Sequence, residues 1–389
     1  MRIVLLSHEY PPFHFGGVGV FVKDLAHGLA QQGIDVTVVT GRPIPWKKIG
    51  NFNSPVRNGN PTVIRLNYPN ITPRHTIFQL FNERRIVKII SELNPDVIHG
   101  QSGSFFPSVR QLKKIAPTIV TYHGSPFVQR NLAIQSLAKG GTIGDFVTFT
   151  LGFSSFSYTY QKELENSNAA VAVSKSLMVQ LKSEMKSENH NLEFIHNGVD
   201  VNSFEGLPKA SFEPELVFGG RLFWAKGVLN VVQLANLLKN KYGLTLKINV
   251  YGEGPLYKTM LRLKEKNNLS NLNISGFLER REFVRKVCSA SFVLLPSFFE
   301  ASPMVLLESM CFGKTVVMFD LPFSNEFTDQ GKYAILAPTI ERMAERIRDA
   351  YEDRFPQKMQ ASIRDFARQN FDITKTVKDY VKIYERISG

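Results

Sequence analysis

Residues 298–313 read FFEASPMVLLESMCFG, and two glutamates, Glu300 and Glu308, interrupt an otherwise almost apolar run. An unpaired buried carboxylate is costly, so each needs something to face. The run follows SFVLLP, which has the look of a buried strand, and that puts Glu300 in the turn leaving the strand's carboxyl end. Ser302 is a good N-cap residue and Pro303 suits a first helical position. A helix is then expected from Met304 and Val305 to about Phe312, ended by Gly313, with Glu308 nearly two turns in. Free N–H groups near residues 303–305 would form an anion site at its N-terminus. A second stretch, VFGGRLFWAKG (217–227), also leaves a strand for a helix, and it brings Arg221 and Lys226 to the carboxyl edge of the same sheet. Two cations there can hold a diphosphate and stabilise the charge that develops as a glycosidic phosphate bond breaks. Two carboxylates can accept from ribose and sugar hydroxyls. The four together match a sugar nucleotide. Singly they are ordinary: Glu308 as a half-exposed helix residue paired to a lysine, Glu300 as a solvated loop acid, and the cations as two among 47.

The elements that must position these groups alternate. RIVLLS (2–7) is a short apolar run of the kind found in buried parallel strands. A helical period follows over 18–32 at Val18, Phe21, Val22, Leu25 and Leu29, with Gly33 to terminate it. Next come the strand IDVTVVT, a Pro/Gly/Asn-rich loop around 41–61, the strand VIRLN and a helix over roughly 76–93. DVIHG, TIVTYHG and AAVAVS are later strands. Residues 125–165 break the rhythm and suggest helices and a mobile loop beside a cleft. From about 206 a second alternating set begins: ELVFGG, helix 227–240, TLKINVYG, helix about 256–267, NLNISG, helix 280–289, SFVLLP, helix 303–312 and KTVVMFD. Helical stretches fill 339–370 and a final helix covers about 374–388. Strands separated by helices imply α/β domains with parallel sheets. Two are expected, over 1–205 and 206–372, each a Rossmann-like doubly wound sheet, facing one another across a cleft. In such sheets ligands bind beyond the carboxyl ends of the strands.

Composition excludes several classes. A chain of 389 residues with 43% hydrophobic and 21% charged residues can bury two cores and is not a disordered protein. Two cysteines without metal-ligand spacing fit a reduced, cytoplasmic setting. The N-terminus lacks a signal-length apolar run, and no window is long and apolar enough for a transmembrane helix. A formal net charge of +13 points to acidic partners, and with 30 phenylalanines it raises the prospect of peripheral attachment to an anionic membrane surface.

GGRLFWAKG followed by EASPMVLLE resembles a retaining glycosyltransferase of family 4, with the GT-B fold. HEYPPFHFGGVGVFVKDLAHGLAQQGIDVTVVT, TYHGSP, AVAVSKSL, HNGVDVNSF, VYGEGP, ISGFL and FTDQGKYAIL fall in that family's order, so the resemblance covers nearly the whole chain. It implies that Glu300 binds donor-sugar hydroxyls beside the anomeric carbon, that Glu308 binds the ribose, and that Arg221 and Lys226 hold the diphosphate. Gly16 and Gly17 would let backbone approach the donor phosphate, and His123 would face the sugar as a fourth catalytic group. Gly252 of VYGEGP, Phe277 and Leu278 of ISGFL, and Ala301, Ser302, Pro303, Met304 and Val305 would complete the donor site. The terminal helix 373–389 would pack back on the first domain. Ala301-Ser302 stands where many relatives have Gly-Phe or a similar pair, and the region after AILAP is poorer in glycine than the usual family loop.

The expected reaction moves a sugar from a nucleoside diphosphate sugar to a hydroxyl acceptor with retained anomeric configuration. The acceptor is expected to be a lipid-linked or cell-surface glycan precursor. Arg and Lys can replace a divalent ion, and no Asp-rich motif accompanies them, so no metal or other cofactor is expected. An epimerase of the same architecture is the nearest rival, although the Arg/Lys and paired-Glu set argues against it. A basic nucleic-acid-binding protein is a rival from another class; no recognisable module supports it, and the basic residues are spread along the chain. A dehydrogenase fits least, because GGVGVF (16–21) follows a long loop and does not make the tight G-x-G-x-x-G turn.

Overall fold

The computed structural model describes residues 1–13, 16–45, 59–71, 74–138, 153–185, 191–204, 211–244 and 246–389. Its contacts divide into two compact units. One holds residues 1–127, 153–200 and 371–389; the other holds Val201–Asn370 together with residues 128–138.

The first unit is built on seven parallel strands. They are β1 (Arg2–Ser7), β2 (Asp35–Ile44), β3 (Thr62–Pro69), β4 (Val97–Gln101), β5 (Thr118–Tyr122), β6 (Ala169–Ala172) and β7 (Leu192–Phe194), in spatial order β3-β2-β1-β4-β5-β6-β7. Helices cover both faces of the central strands, and every residue of β4, β5 and β6 is buried, the polar His99 and Gln101 of β4 included. The order reverses between β1 and β4, so the chain leaves these neighbours in opposite directions and opens a crevice at their carboxyl ends. β2 is longer than the sequence suggests. Gly41–Ile44 belong to it, paired with Leu66–Pro69, and not to a loop. The remainder of that expected loop falls mostly on 46–58, outside the described residues. So does the central part of the 125–165 stretch, at 139–152; its flanks form the helices Pro126–Ala138 and Phe153–Asn166.

The last helix, Ile373–Ser388, packs in this unit. Val377, Tyr380, Ile383 and Tyr384 join the core with Phe21, Leu25 and Leu29 of the helix Gly17–Gln31. Asp372 caps it, accepting from Thr374 N at 2.7 Å. A buried polar network sits within that contact. His99 is fully buried, with Nδ1 bonded to Tyr384 Oη and Nε2 to Thr121 Oγ1, each at 2.7 Å, and Thr121 Oγ1 is 2.9 Å from Tyr380 Oη. Burial pushes the His99 pKa down to about 3, so the ring is neutral and bonds to hydroxyls on both sides.

The second unit carries six parallel strands: β8 (Glu213–Gly219), β9 (Lys247–Tyr251), β10 (Leu272–Ser275), β11 (Ala290–Leu295), β12 (Thr315–Phe319) and β13 (Ile335–Ala337). Their order is β10-β9-β8-β11-β12-β13. The reversal lies between β8 and β11, the two strands from which VFGGRLFWAKG and SFFEASPMVLLE emerge. Their registry is direct: Leu216, Val217 and Phe218 lie beside Phe292, Val293 and Leu294. At the opposite, amino edge, the buried Lys314 donates from Nζ to Ala290 O at 2.9 Å and to Ser211 O, which pins the start of this unit. The helix expected over 227–240 runs as Val228–Asn236 and continues through a wider turn, Leu237–Lys241. The helical stretch 339–370 is two helices, Ile340–Glu352 and Phe355–Phe371, parted at Arg354, whose φ is 54°.

Candidate active site

Four loops leave the carboxyl edge of the second sheet, and backbone hydrogen bonds stitch them together. Gly220 N donates to Tyr251 O at 3.1 Å and Leu222 N to Glu253 O at 2.8 Å, joining the loops after β8 and β9. Gly252 N donates to Gly276 O at 3.1 Å, joining β9 to β10, and Phe298 N to Ala225 O at 3.0 Å, joining β8 to β11. Two glycines make this closeness possible. A Cβ on Gly227 would lie 1.8 Å from Pro296 O, and one on Gly252 would lie 1.9 Å from Gly220 O; their φ values are 67° and 150°. Trp224 and Phe298 stack across the β8 and β11 loops at 4.5 Å between ring centroids. The crossing is therefore both hydrogen-bonded and packed.

Lys226 and Glu300 meet on this platform. Lys226 Nζ donates to Glu300 Oε1, and Ser297 Oγ donates to the same oxygen at 2.7 Å. The Glu300 side chain is 11% exposed and that of Lys226 is 28% exposed. The second carboxylate oxygen of Glu300 has no partner among the described residues. Glu308 is held in the same way. It is buried on the helix Met304–Cys311, and Arg280 Nη2 donates to its Oε1 at 2.6 Å. Burial pushes its carboxyl pKa up while the Arg280 charge and hydrogen bond oppose that rise. Both acids are thus anchored through Oε1 by a cation on a neighbouring loop or helix. Arg221 is not joined to this pair. It is exposed, with its guanidinium carbon 5.6 Å from the Phe223 ring centroid.

The helix start differs from the sequence reading. Ser302 is not the N-cap; Pro303 is, with φ −75° and ψ 111°, and no side chain caps the helix. Ser302 Oγ is buried without a hydrogen-bond partner. The anion site cannot include residue 303 either, because proline has no N–H. Leu306 N and Leu307 N donate to Pro303 O, so the orphan donors of the first turn are those of Met304 and Val305. Phe277 and Leu278 follow the edge strand β10, with Phe277 65% exposed. Ala301 is buried beside Glu300.

The remaining sequence-predicted residues lie in the first unit, on segments that follow β1 and β5. His123 follows β5, and its Nε2 donates to Gln101 Oε1 at 2.6 Å while its ring meets Phe21 edge-on at 5.2 Å. Desolvation lowers its pKa to about 4, so the ring is neutral over the physiological range. Gly16 and Gly17 are exposed at the start of the helix Gly17–Gln31. Gly16 has extended backbone and open space where a Cβ would go, so the chain's own packing does not demand glycine there.

Sequence reasoning missed several partners. Ser297 and Arg280 were given no role; a hydroxyl three residues before Glu300 and the cations of FLERRE were the available signals. His8 and Glu9, which follow β1, show in the sequence only as part of a longer motif. His8 N donates to Ser104 Oγ at 3.2 Å, so the hydroxyl is left to donate to His8 Nδ1 at 2.7 Å, and Nε2–H then faces Glu9 Oε1 at 3.2 Å. Ser104 lies in a loop held by the fully buried Glu163. Its carboxylate accepts from Gly103 N, Phe105 N and Phe106 N at 2.9–3.0 Å.

Burial raises the Glu163 pKa to about 7 against the pull of those three bonds. A carboxyl group raised in the folded state binds a proton that the unfolded chain has lost, so its contribution to stability falls as pH rises from about 4.5 to about 7. His75, His99 and His123, lowered to about 3, 3 and 4, give the opposite slope below about 6.5. The Glu163 part is isolated by difference. Wild type minus Glu163→Gln melting temperature should decline between pH 5 and 7 and level off above, and a flat difference would contradict the buried-carboxylate reading.

Residues 15–203 match the model of Glycosyltransferase Family 4, and residues 202–370 match that of Glycosyl transferases group 1. The chain belongs to glycosyltransferase family 4. An uncharacterized glycosyltransferase of Methanocaldococcus jannaschii is 25% identical over 406 residues, spanning 100% of this chain and 99% of the relative. Among solved structures, sucrose-phosphate synthase from Thermosynechococcus elongatus superposes with a TM-score of 0.79 at 16% identity, covering 99% of this chain and 98% of that one. An Anabaena protein in complex with UDP and glucose gives 0.68 at 14% identity, covering 99% and 100%. These neighbours have the GT-B architecture, and the two parallel-sheet Rossmann-like units of this glycosyltransferase have it too. The protein is a sugar-transferring enzyme.

Proposed function

We propose that the enzyme takes a sugar from a nucleoside diphosphate sugar and passes it to a hydroxyl acceptor with retained anomeric configuration, using protein cations in place of a metal. The observation that carries this reading is the Lys226–Glu300 ion pair, seated where the loops after β8 and β11 leave the switch point of the second sheet. The UDP and glucose held by the Anabaena neighbour support a donor of this class.

The residues divide the work by charge. Lys226, with Arg221 nearby on the same loop, supplies positive charge to the diphosphate as the anomeric C–O bond breaks. The N–H groups of Met304 and Val305 add two dipoles directed at anionic oxygens. Glu300, fixed through Oε1, offers Oε2 to donor-sugar hydroxyls. Glu308, fixed by Arg280, offers its second oxygen to the ribose. Gly252, Phe277 and Leu278 border the base, and Ala301 to Pro303 set the turn between the two acids. Gly16 and Gly17 leave backbone free to approach phosphate. His123 provides a neutral hydrogen-bonding ring and no charge.

In the step itself the bond from the anomeric carbon to the phosphate oxygen breaks, and the electron pair leaves with the nucleoside diphosphate. The acceptor hydroxyl attacks the same face and its proton passes to the departing phosphate oxygen, so no enzyme base is consumed. Glu300 acts by position and field. The acceptor hydroxyl belongs, in this reading, to a glycan or glycolipid precursor.

A thermal-shift screen of nucleoside diphosphate sugars, followed by product analysis, tests the reading. One donor should raise the melting temperature. Transfer from it should give a glycoside with the donor's anomeric configuration, at a rate that EDTA leaves unchanged. An epimerised donor formed without acceptor, an inverted glycoside, or loss of activity in EDTA would each overturn part of it.

A further inference from the structure

Among the described residues no helix is long and apolar enough to cross a membrane. The helix Arg74–Leu93 in the first unit nevertheless has an unusual outer face. Its inner stripe, Phe78, Asn82, Ile86 and Ile90, is buried. The stripe half a turn away holds Leu80, Arg84 and Lys88, spaced four residues apart. Leu80 is 62% exposed and its neighbour Phe81 is 45% exposed, while Lys88 carries a side chain that is 77% exposed. A single exposed leucine is ordinary. Two large apolar residues side by side at the N-terminal half of a face that turns cationic one turn later are not.

The neighbouring short helix, Val109–Leu112, is joined to this one by Gln111 Nε2, which donates to Glu83 Oε1 at 3.2 Å. It brings exposed Arg110, Lys113 and Lys114 alongside. Arg84, Arg85, Lys88, Arg110, Lys113 and Lys114 thus outnumber the acids beside them among the described residues, which are Glu83, Glu92 and Glu165, the last near Arg110 and paired to Lys162. Glu83 is taken up by Gln111 and Glu92 lies 3.9 Å from Lys88.

We propose that this face docks on an anionic bilayer surface, with Leu80 and Phe81 entering the headgroup boundary and the cations lying among the phosphates. Charge complementarity selects the partner: apolar tips within a cationic field match a surface that is negative outside and apolar beneath. The net charge and phenylalanine count raise the prospect of membrane attachment without placing it; this face lies on a helix that the β3–β4 connection places at the outside of the unit. It gives the proposed lipid-borne acceptor a location, and it rests on that reading only for its purpose.

Full-length protein without any nucleotide sugar is sedimented with vesicles of phosphatidylcholine alone and of phosphatidylcholine mixed with phosphatidylglycerol, at low and high salt. Wild type should pellet with the mixed vesicles at low salt and stay in solution with phosphatidylcholine. Arg84→Glu/Lys88→Glu should lower the bound fraction at least about tenfold, since each juxtamembrane cation contributes to the attraction. Leu80→Ser/Phe81→Ser should lower it as well, and the melting temperature of each variant is measured alongside, so that loss of docking is told apart from loss of fold. Wild type remaining in the supernatant overturns the proposal. Full binding by the Leu80/Phe81 variant also overturns it, because a purely electrostatic partner such as nucleic acid would then account for the cations. Glycosyl transfer to a soluble acceptor is measured separately, so failure of one reading is distinguishable from failure of the other.

Discussion

Replacing Lys226 by alanine is expected to lower kcat for sugar transfer by about 10²–10³-fold, the range found when one preorganised donor to a developing negative charge is removed. The ammonium is already placed before any donor arrives, because the β8 and β11 loops share a backbone bond from Phe298 N to Ala225 O and a Trp224–Phe298 stack. It therefore needs little reorganisation as the diphosphate gathers charge. That charge is largest in the transition state, so kcat should fall more than KM rises. Removing Lys226 also strands the Glu300 carboxylate with Ser297 as its remaining partner, which loosens the group expected to hold the sugar. Glu300→Gln should give a loss of similar order, because it keeps the shape and removes the charge. Arg221 is exposed over Phe223, and its removal should cost less. Steady-state kinetics on variants of unchanged melting temperature check this; full transfer by both Lys226→Ala and Glu300→Gln would remove the site assignment.

Gly227→Ala is expected to damage stability and activity together. Residue 227 has φ 67° and ψ 26°, a left-handed conformation that costs an L residue about 1–2 kcal/mol. Its new Cβ would also stand 1.8 Å from Pro296 O, a backbone atom that cannot rotate away. The β8 and β11 loops must separate, and the Phe298 N to Ala225 O bond and the Lys226–Glu300 pair both span the two loops. A destabilisation of about 2 kcal/mol or more should lower the melting temperature by roughly 4–8 °C for a unit of this size. Differential scanning calorimetry and kinetics read both effects; a variant with wild-type melting temperature and turnover would show that the loop contact does not hold the site.

The fold was largely legible because parallel strands buried on both faces must be short apolar runs, and β1, β5 and β11 are such runs. The helix Arg280–Ser289 starts and stops where its amphipathic period does. What the sequence could not show was contact across the sheet. Lys226 and Glu300 are 74 residues apart, and they meet because β8 and β11 are neighbours despite two intervening strands. Arg280 reaches Glu308 over 28 residues by the same geometry. Ser302 illustrates the opposite limit. Its residue type favours a cap, but Pro303 takes the N-cap geometry and the serine hydroxyl is turned into a buried position without a partner. Glu163 gave no signal at all, since it reads as one more acid in a charged helix and its three acceptor contacts come from a loop about 60 residues earlier.

A crystal structure with an unreacted nucleoside diphosphate sugar tests the central claim most directly. The diphosphate should lie within hydrogen-bonding reach of Lys226 and of the N–H groups of Met304 and Val305, with a sugar hydroxyl on Glu300 and the ribose on Glu308. A donor bound away from the carboxyl ends of β8 and β11, with the Lys226–Glu300 pair untouched, would contradict the account.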